Sequence, residues 1–244
     1  MQILLIRHAE MDGDPFVCPP SPVRGCLSES AGVPQAQRAR AGLTDVPIDL
    51  ALSSPYGRAL QTAEIVLAGR CVPLKVLAFL REWQPDRALE ALPEAQYEQL
   101  IERDAQRHPG ECWKTELGEG CFDLYARICP PFLQELAALG IHHRLGGFVL
   151  EERARALSIA VFAHGGTLNV LLSFLLGVPP FPLATFEFAL TGVAMVKFTE
   201  RCGISYPTLA IPPPRANEVA AACVPDQRAH PACTAEHKHD FAAS

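Results

Sequence analysis

The chain opens on a short apolar run, Ile3-Leu4-Leu5-Ile6, that stops abruptly at Arg7-His8. An aliphatic run without alternation predicts a strand buried on both faces. Three more segments are predicted as strands: "IDLALSSP", which is also buried, "PLKVLAFL", and "LSIAVFAH", the clearest of them. Between them the pattern turns helical. "YGRALQTAEIVLAG" sets Leu60, Ala63, Val66 and Leu67 at helical spacing, with Gly69 near its end. "VPQAQRARAGL" and the strongly apolar "TLNVLLSFLLG" predict two further helices. Residues 84–140 lose strand character, and "EAQYEQLIERDAQRH" and "FDLYARICPPFLQELAAL" predict helices there. "ATFEFAL" and "GVAMVKFTE", separated by a glycine-containing turn, predict a terminal hairpin.

Strands alternating with helices imply an α/β fold, a three-layer α/β/α sandwich around a mainly parallel central sheet. The helical stretch at about 84–140 is expected to be an insertion that caps this sheet. One domain over residues 1–210 follows, with the Pro- and Ala-rich residues 211–244 expected as a mobile tail. Cys223, His230, Cys233, His237 and His239 lie in that tail, at spacings that fit no compact zinc finger.

In folds of this class, sites gather beyond the carboxyl ends of the parallel strands. That rule gives four polar strand ends a common purpose. Arg7-His8 closes the first strand, Ser53-Ser54 the second and His164 the fourth, while Glu82 follows the third. Two guanidiniums, Arg7 and Arg58, with His164 would surround His8 with positive potential and hold a phosphate by paired donors. The same potential lowers the proton affinity of His8 and keeps a ring lone pair free to attack phosphorus. Glu82, beside apolar Phe79, Leu80 and Trp83, is the candidate to protonate the leaving alkoxide. No cofactor and no metal are expected, because cationic side chains supply the charge.

Composition narrows the partners. The formal charge of −6 over 244 residues disfavours nucleic acid, which needs a basic surface. The run Leu168 to Gly177 is too short to span a bilayer, so no membrane partner is expected. Nine cysteines without CxxC pairs predict free thiols, and with no secretory leader read at the N-terminus the expected location is cytoplasmic. A monomer and a homodimer fit equally well.

"LLIRHAE", "LSSPYGRALQTA", "LRE" and "FAHGGTLNVLL", in this order, strongly resemble the histidine phosphatase superfamily, with its phosphoglycerate-mutase-like fold, over roughly residues 2–200. The resemblance implies a phosphoric monoester hydrolase with His8 as the phosphate-accepting nucleophile. By it, Arg7, Arg58, His164 and Gly165 bind the phosphate, and Glu82 donates the proton. "GEGCFDLYARI" is similar to the family's Gly-Glu helix start and places Glu119 near the substrate. Three departures stand out. Ala9 replaces a common glycine, and Asp14 stands where many members have a phosphate-holding asparagine. "WQPD" after Glu82 does not continue as in the cofactor-dependent mutases. A small phosphate ester is therefore the expected substrate. A phosphomutase, or a binder of phosphorylated ligands without catalysis, is the alternative. Phe16, Trp83, Trp113 and Phe122 are candidates to line an apolar approach, favouring an organic phosphate with a hydrophobic portion.

Overall fold

The computed structural model describes residues 1–12, 26–84, 86, 92–106, 116–179 and 185–210. Asp14, Phe16, Trp113 and residues 211–244 lie outside the described residues.

The four apolar runs lead to strands β1 (Gln2–Arg7), β2 (Leu50–Ser53), β3 (Leu74–Val76) and β6 (Ser158–Ala163), of which β3 is a largely exposed edge strand. β4 (Ile141–Arg144), β5 (Gly147–Leu150), β7 (Val193–Arg201) and β8 (Ile204–Ala210) complete the set. The helices are α1 (Gly32–Gly42), α2 (Gly57–Leu67), α3 (Glu94–Ala105), α4 (Cys121–Ala138) and α5 (Gly165–Leu176). "PLKVLAFL" is only half a strand: after β3 the chain tightens into a 3₁₀ turn at Ala78–Leu80.

The described strands form one eight-stranded sheet in the order β3-β2-β6-β1-β7-β8-β5-β4. β3, β2, β6 and β1 pair in parallel, whereas β1–β7, β7–β8, β8–β5 and β5–β4 are antiparallel. The sheet is thus mixed, not mainly parallel as its apolar runs imply. The cause is local. β4–β5 and β7–β8 are joined by the two-residue turns Leu145-Gly146 and Cys202-Gly203. Both positions of each turn have positive φ, 53° and 73° in the first and 52° and 79° in the second. Such turns match strand twist and force antiparallel pairing, because parallel neighbours need a long crossover. The expected hairpin is also displaced. Residues 185–190 of "ATFEFAL" form no strand, and the partner of β7 is β8, downstream of it.

β1 lies in the middle of the sheet, and successive side chains serve opposite faces. Ile3 and Leu5 join a core with Leu124, Ile128 and Phe132 of α4 and Leu168 and Leu172 of α5. Leu4 and Ile6 join a second core with Ala63, Val66 and Leu67 of α2. Burial on both sides explains why the run has no polar alternation, and it fixes the strand carrying Arg7-His8 from above and below. α4 holds Pro130 and Pro131 inside its span. α5 ends on Gly177, whose φ of 68° supplies a left-handed cap.

Candidate active site

Register brings the strand ends together. Arg7 pairs with Ala163 across β1–β6, and Ser53 pairs with Phe162 across β2–β6. His8, Ser54 and His164, each one residue further on, therefore emerge side by side. The His8 amide donates to the Ala163 carbonyl at 3.0 Å, and its carbonyl accepts from Thr191.

Arg58, on the first turn of α2, stands between the imidazoles. Its Nε–H is shared, reaching His8 Nε2 and His164 Nδ1 at 3.2 Å each. Both of those ring nitrogens must accept, so each carries its proton on the other. His8 Nδ1–H donates to the Ala9 carbonyl at 2.7 Å, and His164 Nε2–H donates to Ser54 Oγ at 2.7 Å. The tautomers are set by these partners. His8 consequently presents Nε2, with its lone pair, toward the guanidinium.

Burial keeps both rings neutral. Desolvation first, then the Arg58 and Arg7 charges, push His8 down to about 3, opposed only by the bond to Ala9. His164 is lowered well below the usual histidine range by desolvation, His8 and the Arg58, Arg7 and Arg127 charges. Arg7 NH1 donates to the Phe188 carbonyl at 2.5 Å, while its buried Nε has no partner among the described residues. A buried donor without an acceptor beside a neutral imidazole suits an anionic ligand.

Glu82 lies at the start of α5. Its carboxylate accepts from Gly166 N and Thr167 N at 3.2 Å each, and from Trp83 N at 2.8 Å. Unpaired amides at a helix N-terminus attract a carboxylate in this way. Gly165 begins the same helix, and a Cβ added there would lie 3.7 Å from Arg7 Cζ. All six residues singled out from the sequence thus meet at one end of the parallel half-sheet. Glu119 is held in an ion pair with Arg127 at 2.5 Å, behind the Glu82 segment.

Several contributors were not apparent from the sequence. Thr62 Oγ1 accepts from Ala9 N at 3.0 Å and donates to the Arg58 carbonyl at 2.7 Å, tying the segment after His8 to α2. Gln61 Oε1 accepts from Leu27 N at 2.9 Å. Their adjacency to Arg58 in "RALQTA" was the available signal. The Tyr56 ring lies 5.3 Å from the His164 ring and 5.1 Å from Arg58 Cζ, and its hydroxyl accepts from Gln84 Nε2 at 2.7 Å.

Comparison with known proteins finds phosphatases in both sequence and structure. The chain is 27% identical over 193 residues to the adenosylcobalamin/alpha-ribazole phosphatase of Escherichia coli K12, covering 73% of this chain and 81% of that protein. The alpha-ribazole phosphatase of Shigella flexneri superposes with a TM-score of 0.60 at 23% identity, covering 86% of this chain and 95% of that one. A mycobacterial glucosyl-3-phosphoglycerate phosphatase in complex with VO3 gives a TM-score of 0.61 at 21% identity, covering 86% and 97%. These structural likenesses show the fold. The model of the histidine phosphatase superfamily (branch 1) matches residues 3–205, so the chain belongs to that superfamily and is a phosphatase enzyme.

Proposed function

We propose that the chain hydrolyses phosphate monoesters through a phosphohistidine on His8, with Glu82 as proton donor and without a metal. The observation that carries this reading is the neutral His8, whose Nε2 is fixed as an acceptor against Arg58 inside a buried cationic pocket. A phosphate dianion entering there would pair with Arg7 Nε and the Arg58 guanidinium, and His164 would complete its surround. Attack by Nε2 forms the N–P bond as the ester P–O bond breaks, and Glu82 protonates the departing oxygen. Water then takes the phosphoryl group from His8, with Glu82 receiving the proton that water loses. Charge shifting onto the equatorial oxygens is stabilised by groups already in place, which is the largest contribution such a pocket can make.

Gly165 opens the helix that carries the amides around Glu82, and is proposed to bring its own amide toward the phosphate. Tyr56 borders the pocket and supports an organic phosphate with an apolar portion as substrate, whereas the Trp83 ring packs against the core and donates to the Glu119 carbonyl. The E. coli and Shigella relatives, named as alpha-ribazole phosphatases, support an organic phosphate as substrate. Residues 1–210 are proposed as the catalytic unit.

The test compares wild type, His8→Ala and Glu82→Gln on 4-nitrophenyl phosphate and on an alkyl phosphate, each with and without EDTA. His8→Ala is expected to abolish turnover of both. Glu82→Gln is expected to lose about 100-fold or more on the alkyl ester, whose leaving group needs the proton, and far less on the aryl ester. Turnover that vanishes with EDTA, or survives His8→Ala, would overturn the mechanism. Vanadate, named with the mycobacterial relative, is expected to inhibit.

A further inference from the structure

A general acid acts only if its oxygen is held within hydrogen-bond reach of the leaving group, and a misplacement of about 1 Å can remove about 100-fold of rate. Glu82 lies in a stretch, residues 81–84, with no helix or strand of its own to hold it. Its own backbone must be held by neighbours.

Those neighbours converge on one guanidinium. Arg127, on α4, donates through NH1 to the carbonyls of Phe79 at 2.8 Å and Arg81 at 3.1 Å. Its NH2 donates to the carbonyl of Glu82 itself at 3.3 Å and to Glu119 Oε2 at 2.7 Å. Its Nε donates to Glu119 Oε1 at 2.5 Å. Five donors thus meet five acceptors, the full capacity of an arginine. Three of the acceptors are main-chain oxygens of the segment that carries the acid.

Glu119 closes the arrangement from the other side. Its Oε2 accepts from Gln84 N at 3.1 Å, its carbonyl from Trp83 Nε1 at 2.5 Å, and its amide donates to the Gln84 carbonyl at 3.1 Å. The pair is largely withdrawn from water, with side-chain exposures of 12% for Arg127 and 18% for Glu119. Unlike the residues of the phosphate pocket, neither is needed to touch phosphate. Each grips the chain on one side of the Glu82 carboxylate, while Gly166 and Thr167 receive the carboxylate on the other.

We propose that Arg127, braced by Glu119, is a positioning residue that sets the direction of the Glu82 carboxylate and thereby governs protonation of the leaving group. The proposal rests on the reading of Glu82 as proton donor. Arginine is required because only a planar fork can span the Phe79, Arg81 and Glu82 carbonyls and Glu119 together, and a lysine ammonium lacks both the reach and the number of donors. Glu119 neutralises the guanidinium and keeps it from turning elsewhere.

The experiment measures kcat/KM of the full chain on 4-nitrophenyl phosphate and on an alkyl phosphate, with inhibition by vanadate as a readout of the phosphate pocket. Arg127→Met is expected to lose about 100-fold on the alkyl ester but less than about 3-fold on the aryl ester, with the vanadate inhibition constant unchanged. Arg127→Lys and Glu119→Gln, the variants to use if Arg127→Met does not fold, are expected to show the same leaving-group selectivity at about 10-fold. In a Glu82→Gln background, Arg127→Met is expected to add less than about 2-fold, because the group it positions is already gone. Equal losses on both esters, multiplicative effects with Glu82→Gln, or no loss at all would overturn the proposal. A wild-type enzyme whose turnover is indifferent to His8→Ala or Glu82→Gln would instead overturn the proposed function.

Discussion

Gly166 has no side chain, and the space one would fill is occupied by the proposed acid. A Cβ there would stand 2.8 Å from Glu82 Oε1, closer than real contacts allow, while at Gly165 the nearest atom would be Arg7 Cζ at an ordinary 3.7 Å. The obstructed atom is the end of a flexible side chain, so Gly166→Ala should move the carboxylate and leave the fold standing. The expected outcome is a melting free energy within about 1 kcal/mol of wild type and a loss of about 10-fold or more on alkyl phosphates. At this scale the sequence was readable where a candidate group is a scarce side chain at or just past a strand end, as with Arg7, His8 and His164. It was unreadable where a residue acts through the main chain. Gly166 donates its amide to the Glu82 carboxylate, Thr62 links the Ala9 amide to the Arg58 carbonyl, and Arg127 grips carbonyls that any sequence would supply.

Among the elements, each of the four apolar runs contains a strand, buried in the middle of β1 and throughout β6 but largely exposed in the edge strand β3. The helical periodicities start within two residues of the observed helices. Burial on two faces leaves a signal no surface segment imitates. β4 and β5 left no such signal: "IHHR" exposes three of its four side chains, and its strand character comes from pairing with β5. The turn between them carries a correctable strain. Leu145 adopts a φ of 53°, a left-handed conformation costly for a branched apolar residue, and is 75% exposed. Asparagine is favoured at this first position of a two-residue hairpin. Leu145→Asn is expected to stabilise the protein by about 0.5–1 kcal/mol in urea melts, with kcat/KM unchanged. A destabilised variant would show that the leucine makes contacts outweighing its backbone strain.

For the whole molecule, the pocket makes folding sensitive to acid. His8 takes up a proton near 6.5 when unfolded but only at about 3 when folded, and His164 is lowered in the same direction. Between these values the unfolded chain binds more protons, so stability falls as pH drops from about 6.5 toward 3 and is fully present above 6.5. Each such group contributes a slope of up to about 1.4 kcal/mol per pH unit. Urea melts between pH 6.5 and 5 should therefore show a shallower pH dependence in His8→Gln than in wild type, and equal slopes would refute the neutral buried imidazole.

The central place of β1 has a further consequence, for the order in which the molecule comes apart. Sheets open from their margins, where strands have one neighbour, and β3 and β4 are the margins here. The strand ending on Arg7-His8 has partners on both sides along its length. Amide hydrogens of Ile3 to Ile6 should exchange only through global unfolding, while those of His142 and His143 exchange through local fraying. Partial opening of the β4 margin can then proceed without disturbing the proposed nucleophile, whereas opening at β3 would loosen the segment that carries Glu82.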